Sequence, residues 1–149
     1  MRSASEYLRA IAARIVEETR ERVPLRGALL AGSAGRGDAD YYSDIDLVCY
    51  VDRIPTQQVG AAVREAVGGT KGLRRASTED FSSEEFDVKS IRVELSFTTV
   101  RSMDIRLDDL LERLVDIDSP SQKILSGVQD GLPLHGRELI EGWKARIAH

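Results

Sequence analysis

The chain has 149 residues, a net charge of -4, and 42% hydrophobic against 31% charged residues. That length suits one domain with its own core and leaves little for a second module. The acidic balance argues against a protein that holds nucleic acid by broad phosphate neutralisation. No apolar run approaches the roughly 20 residues of a membrane span, and Met1 to Tyr7 lacks the apolar stretch of a signal peptide. The expected location is the cytoplasm, with no membrane partner. Cys49 is the single cysteine, which excludes an internal disulfide and a cysteine-based metal cluster. It lies in the apolar run Ile45 to Val51 and reads as a buried structural thiol.

Taken in chain order, Leu8, Ile11, Ala12, Ile15, Val16 and Thr19 recur at helical spacing between Ser5 and Arg22, and Val23-Pro24 ends that helix. Ala28 to Ala31, bounded by glycines, reads as a short buried strand. Gly32 to Ser43 is rich in glycine, aspartate and serine and predicts a loop with room for a helical turn, after which Asp44 to Asp52 forms a second strand. Pro55-Thr56 opens a second helix that Gly68-Gly69 closes after Val67, and Gly72 to Ala76 reads as a third strand. Phe81 to Phe86 is polar and turn-like. Ile91, Val93, Leu95 and Phe97 alternate with Arg92, Glu94, Ser96 and Thr98, the pattern of a strand with one buried face.

Beyond that strand, Met103, Leu107, Leu110, Leu111, Leu114 and Val115 repeat at helical spacing, and Ser119-Pro120 starts a further helix reaching about Gln129. Gly131 to Gly136, with Pro133 inside, predicts a turn before a last helix from about Arg137 to Ile147. On this last helix Trp143 shares a face with Leu139 and Ile140, which marks core or interface. The order predicts an α+β fold, a mixed β-sheet backed by helices.

The chemistry-bearing residues concentrate around the second strand. Asp44 and Asp46 are two apart, so both carboxylates leave the same side of a strand, roughly 7 Å apart along it. Ile45, Leu47, Cys49 and Val51 form the opposite, apolar face. Glu94 occupies the polar face of the later strand, and if the two strands pair, three carboxylates converge. Hard oxygen donors of this kind suit magnesium rather than zinc, and His135 and His149 are poor candidates as ligands. Two metal ions about 4 Å apart polarise a phosphoryl group, activate an attacking hydroxyl and stabilise the leaving oxygen. Gly32-Ser33 supplies a phosphate anchor, because glycine lets backbone approach a ligand and the serine hydroxyl can donate to a phosphate oxygen. Arg36 and Ser43 join it as candidate nucleotide contacts, with Ser43 also suited to turning the loop.

The run Gly32-Ser33-Ala34-Gly35-Arg36-Gly37-Asp38-Ala39-Asp40-Tyr41-Tyr42-Ser43-Asp44-Ile45-Asp46-Leu47 resembles the signature of the DNA polymerase beta type nucleotidyltransferase superfamily, a glycine-serine pair followed by ten residues and Asp-x-Asp. Its Arg-Gly step and its Ser-Asp-Ile-Asp-Leu ending look like the minimal prokaryotic branch, which includes antibiotic-modifying enzymes and antitoxin partners of HEPN-type ribonucleases. The resemblance implies one nucleotidyltransferase domain over residues 1–149, with 104–149 as its C-terminal helical part. It implies two magnesium ions, with manganese as the alternative, and ATP as the expected nucleoside triphosphate. AMP would pass to a hydroxyl on a protein, a small molecule or an RNA end, with release of pyrophosphate. The third carboxylate, on a neighbouring strand, would act as base; Glu94 takes that role here, with Asp87 as the alternative because the family more often carries aspartate there.

Other residues admit plainer readings. Glu94 with Arg92 beside it also fits a surface charge pattern, and Lys71, Arg74 and Arg75 form a basic cluster that fits a solvated face better than an RNA or triphosphate contact. Tyr41 and Tyr42 suit either base stacking or loop packing. The alternative to an enzyme is a nucleotide-binding regulatory or antitoxin module that docks on a protein partner with little or no turnover. A homodimer or a protein partner would also complete a site that the short C-terminal helices leave open.

Overall fold

The computed structural model describes residues 3–37, 39–40, 43–111 and 119–148. Helix α1 (Ala4–Arg20) starts where the Ser3 hydroxyl accepts the Glu6 backbone N–H at 3.1 Å. Glu6 in its first turn and Arg20 in its last complement the helix dipole. Its buried stripe is Leu8, Ala12, Ile15, Val16 and Thr19, and the Thr19 hydroxyl returns to the Ile15 carbonyl at 2.7 Å, which is how a polar residue sits in an apolar contact.

The remaining elements are β1 (Gly27–Ala31), α2 (Gly32–Arg36), β2 (Ile45–Val51), α3 (Gln57–Ala66), β3 (Thr70–Ser77), β4 (Phe81–Val88), β5 (Ile91–Thr99), α4 (Val100–Leu111), α5 (Ser119–Asp130), β6 (Leu132–His135) and α6 (Arg137–Ile147). All six strands form one sheet in the order β3-β4-β5-β2-β1-β6. Neighbours are antiparallel except β2 and β5, which run parallel. A parallel pair needs a long crossover, and here α3, β3 and β4 provide it. The fold is therefore the mixed α+β architecture expected.

Period-2 alternation divides the strands between two cores. Ala28 and Leu30, with Ile45, Leu47, Cys49 and Val51, and with Val93, Leu95 and Phe97, face α1 and α3. Leu29 and Tyr50 on the other face pack with Met103, Leu107, Leu125, Val128, Ile140 and Trp143 from α4, α5 and α6. Trp143 meets Tyr50 edge-on at a ring separation of 4.7 Å and an interplanar angle of 74°. Its indole N–H donates to Asp104 at 3.0 Å, so both the apolar body and the polar tip are satisfied. Each fully buried leucine or isoleucine contributes about 1.5–3 kcal/mol, so β2 and β5 are held firmly through the residues that alternate with the acids. Burial pushes the Cys49 thiol up to about 12, as suits an inert core thiol.

Two segments differ from expectation. Phe81–Val88 is a full strand, not a turn, between β3 and β5. Ser82, Ser83, Glu84 and Glu85 have weak strand preference, but pairing on both sides overrides it. The turn-like Gly131–Gly136 segment contains β6, which joins the edge of β1; Pro133 is tolerated because β6 is itself an edge strand. Among the described residues the C-terminal part of the chain is thus a strand and three helices rather than helices alone. Leu114, Val115, Tyr41, Tyr42 and His149 lie outside the described residues. Among the described residues no helix is long and apolar enough to cross a membrane.

Candidate active site

The antiparallel register pairs Ala31, the last residue of β1, with Asp46 of β2. The chain therefore leaves β1 beside the acid pair, and the next residues, Gly32 and Ser33, enter α2 at that point. Gly32 has φ +68°, and a Cβ built on it would meet nothing within 4 Å, so its backbone faces open space. Gly35 behaves in the opposite way: a Cβ there would lie 2.1 Å from the Leu30 carbonyl oxygen, because α2 lies flat on the end of β1. Gly37, in the left-handed region at φ +88°, closes α2 by donating its N–H to the Ser33 carbonyl at 3.0 Å.

The parallel register of β2 and β5 sets Asp46 directly opposite Glu94. The antiparallel register of β5 and β4 sets Glu94 opposite Glu85. Asp46, Glu94 and Glu85 therefore form a lateral row across three adjacent strands, each pair of strands about 4.8 Å apart. With Gly32, Ser33, Ser43, Asp44, Ile45 and Arg92 they line one cleft of about 280 Å³. This cleft lies on the sheet face of α4, α5 and α6, beyond the part those helices cover. Asp44 is exposed on the flank of β2, and Asp46 and Glu94 are half-buried.

The sequence-derived residues thus divide. Gly32, Ser33, Ser43, Asp44, Asp46 and Glu94 meet in the cleft. Arg36 ends α2 on its exposed side and is not among the residues lining it. Ser43 also turns the loop: its hydroxyl accepts the Asp40 N–H at 3.2 Å and donates to the Asp40 carboxylate at 3.3 Å. Asp87 is tied up beside the cleft, its carboxylate accepting from Arg92 at 3.0 Å. Lys71 and Arg74 are exposed on the edge strand β3, consistent with a solvated face.

Two lining residues, Glu85 and Arg92, were not singled out from the sequence as site residues. Arg92 donates to Glu85 at 2.9 and 3.1 Å, to Asp87 at 3.0 Å and to the Lys71 carbonyl at 3.3 Å. The hydrogen bonds it donates to Asp87 and then to Glu85 raise its already high pKa, so it is a fixed positive charge beside Glu94. The alternation of Glu85 and Asp87 with Phe86 and Val88 carried the signal that these acids share one strand face.

The donors in the cleft are carboxylate and hydroxyl oxygens, with neither histidine nor cysteine among its lining, a set that fits a hard divalent cation. Among the described residues no three carboxylate, histidine or cysteine side chains are already gathered around one point as a metal site. Like charges drawn together in a partly desolvated cleft repel, and an ion offsets that cost. A separate hollow of about 440 Å³, lined by Val23, Pro24, Ile54, Pro55 and Val59 among others, lies at the other end of β2 and lacks such a convergence of acids.

The next strand position, Glu84, faces the opposite way, beneath α3. Gly60 makes room for it: a Cβ there would lie 2.8 Å from Glu84 Oε1. That oxygen is buried and has no hydrogen-bond partner among the described residues, while Oε2 stands 3.8 Å from Arg64. Burial raises the Glu84 pKa, with Arg64 and Arg74 opposing.

A glycine-serine turn beside an acid pair at the start of one strand, with a third acid on the neighbouring parallel strand, is the arrangement of a nucleotidyltransferase-like fold. The family profile of the nucleotidyltransferase domain matches residues 12–124, three quarters of the chain, and the chain belongs to that family. Its substrate class is accordingly a nucleotide. No curated protein sequence matches the chain.

Proposed function

We propose that the chain is a magnesium-dependent enzyme that transfers a nucleoside monophosphate, AMP from ATP, to an acceptor hydroxyl with release of pyrophosphate. The observation that carries this reading is the β2–β5 register, Asp46 opposite Glu94, in one cleft with Gly32, Ser33 and Asp44. Asp44, Asp46 and Glu94 would hold two magnesium ions, or manganese in their place. Bound there, the ions supply charge neutralisation at the phosphoryl oxygens and a lowered acceptor pKa.

The protein's own residues do the rest. The Gly32 backbone and the Ser33 hydroxyl bind the triphosphate and aim its α-phosphorus into the cleft. Glu94 takes the proton of the acceptor hydroxyl as its oxygen attacks that phosphorus; the α–β phosphoanhydride bond breaks and pyrophosphate carries away the electron pair. Arg92, pinned by Glu85 and Asp87, keeps those two acids from adding uncompensated negative charge beside the triphosphate. The whole chain acts as one domain in the cytoplasm, on an acceptor that is a protein, a small molecule or an RNA end.

Turnover tests this reading. Purified protein incubated with labelled ATP, magnesium and a broad panel of acceptors should release pyrophosphate. Asp44→Asn and Asp46→Asn should each lower the rate by about a hundredfold or more. Equal release from wild type and both variants would overturn the enzymatic reading. The second reading is a nucleotide-binding regulatory module that docks on a protein partner with little or no turnover; nucleotide binding without any turnover across the panel would select it.

A further inference from the structure

Helix α1 reaches the cleft without lining it. Arg9 donates from Nε to the Ala34 carbonyl at 2.9 Å and from Nη2 to the Gly35 carbonyl at 3.0 Å, part-buried contacts 25 and 26 residues away in sequence. One turn earlier on the same helix, buried Ser5 accepts the Ala39 N–H at 3.0 Å. Between these two points run Arg36 and Gly37, and a Cβ on Gly37 would lie 3.2 Å from Arg9 Nη2. The five residues of α2 are too few to hold a helical turn by themselves. Their closing carbonyls are satisfied instead by a planar, permanently charged fork delivered from α1.

We infer that Arg9, assisted by Ser5, is a positioning residue that fixes the Gly32–Arg36 turn so that the Gly32 backbone and the Ser33 hydroxyl hold their place in the cleft. Its link to nucleotide affinity rests on the function proposed above; its hold on the turn does not. Arg9 touches no substrate, and its contribution passes through the carbonyls of Ala34 and Gly35. A charge-assisted bidentate contact of this kind loses its geometry when lysine replaces arginine, because an ammonium reaches one carbonyl where the fork reaches two.

The test uses the full chain and pairs two readouts, hydrogen–deuterium exchange over residues 32–40 without nucleotide and equilibrium binding of ATP with magnesium. Arg9→Ala is expected to speed exchange over that segment and to weaken ATP binding about tenfold, and Arg9→Lys to fall between it and wild type. Arg14→Ala is the control, since Arg14 makes a comparable α1 bond to the Ala66 carbonyl at 3.2 Å, away from the cleft. It should leave both readouts at wild-type values. Unchanged exchange over 32–40 in both Arg9 variants overturns the inference, as does an equal loss of ATP binding in Arg9→Ala and Arg14→Ala proteins with matched melting temperatures. If Arg9→Ala frees the segment while even wild type binds no ATP, the clamp stands and the nucleotide reading of the cleft falls. Should Arg9→Ala not fold, the Arg9→Lys comparison carries the same outcomes.

Discussion

At the scale of single residues, the cleft separates two acids that chain position alone treats as equivalent. Glu94 opens into it opposite Asp46, whereas Asp87 spends its carboxylate on Arg92 at 3.0 Å. Glu94→Gln should therefore lower kcat by about 10²–10⁴-fold. Asp87→Asn should change kcat by less than about tenfold, because it only weakens one anchor of Arg92. Steady-state kinetics on the two variants decides the matter, and a collapse in Asp87→Asn with activity retained in Glu94→Gln would move the base to Asp87. On the opposite face, Glu84 gives a pH prediction. Its carboxyl holds its proton to higher pH in the fold than in the unfolded chain, so the folded state loses stability as pH rises from about 4, the unfolded value, to the folded one, and no further above it. Glu84→Gln cannot ionise. The melting-temperature difference between variant and wild type should therefore shift in favour of the variant across that window and then level off; a difference that is flat or runs the other way would show that Arg64 and Arg74 outweigh burial.

At the scale of elements, the β4–β5 hairpin explains why part of the site was hidden. Its turn residues Lys89 and Ser90 both have positive φ, 50° and 66°, a conformation for which asparagine and glycine are the usual residues. Without that cue, and with serines and glutamates in place of the branched and aromatic residues a strand favours, nothing local marks Phe81–Val88 as a strand or Glu85 as the partner of Glu94. Replacing Lys89-Ser90 by Asn-Gly should stabilise the hairpin by about 1 kcal/mol, a rise in melting temperature of about 3 °C, measurable by calorimetry. What was legible had strong local physics. The alternation in Ile91 to Thr98, the apolar run before Gly32 and the spacing of Ser33 to Asp44 each depend on neighbours in the chain. The pairing of β2 with β5, on which the convergence of acids depends, is a contact between distant segments, and so is the addition of β6 to β1, which a Pro-containing four-residue strand barely announces.

At the scale of the molecule, the match to the family ends at residue 124, but the fold does not. Leu8 and Arg9 precede the matched span, and β6, Ile140 and Trp143 follow it. The isolated segment 12–124 would expose the edge of β1 and strip Tyr50 and Leu29 of the α6 side chains that cover them. It should lack a cooperative thermal transition by circular dichroism, in contrast to the full chain; a sharp transition in the segment would mean that the second core is dispensable. The same two-sided arrangement also explains the position of the cleft. Helices α4 to α6 cover the half of their sheet face that carries Leu29 and Tyr50, and leave the half that carries Asp46, Glu94 and Glu85 to solvent.

The parallel β2–β5 pair lies in the interior of the sheet, with Val93 and Leu95 buried on either side of Glu94 and Ile45 and Leu47 on either side of Asp46. A slip of one residue in β5 would turn Glu94 into the core and Val93 and Leu95 out to water. The acids are thus inspected by the hydrophobic residues between them: a chain that has assembled its core has also set its acids, and a misaligned copy would betray itself by failing to fold before it ever met a nucleotide.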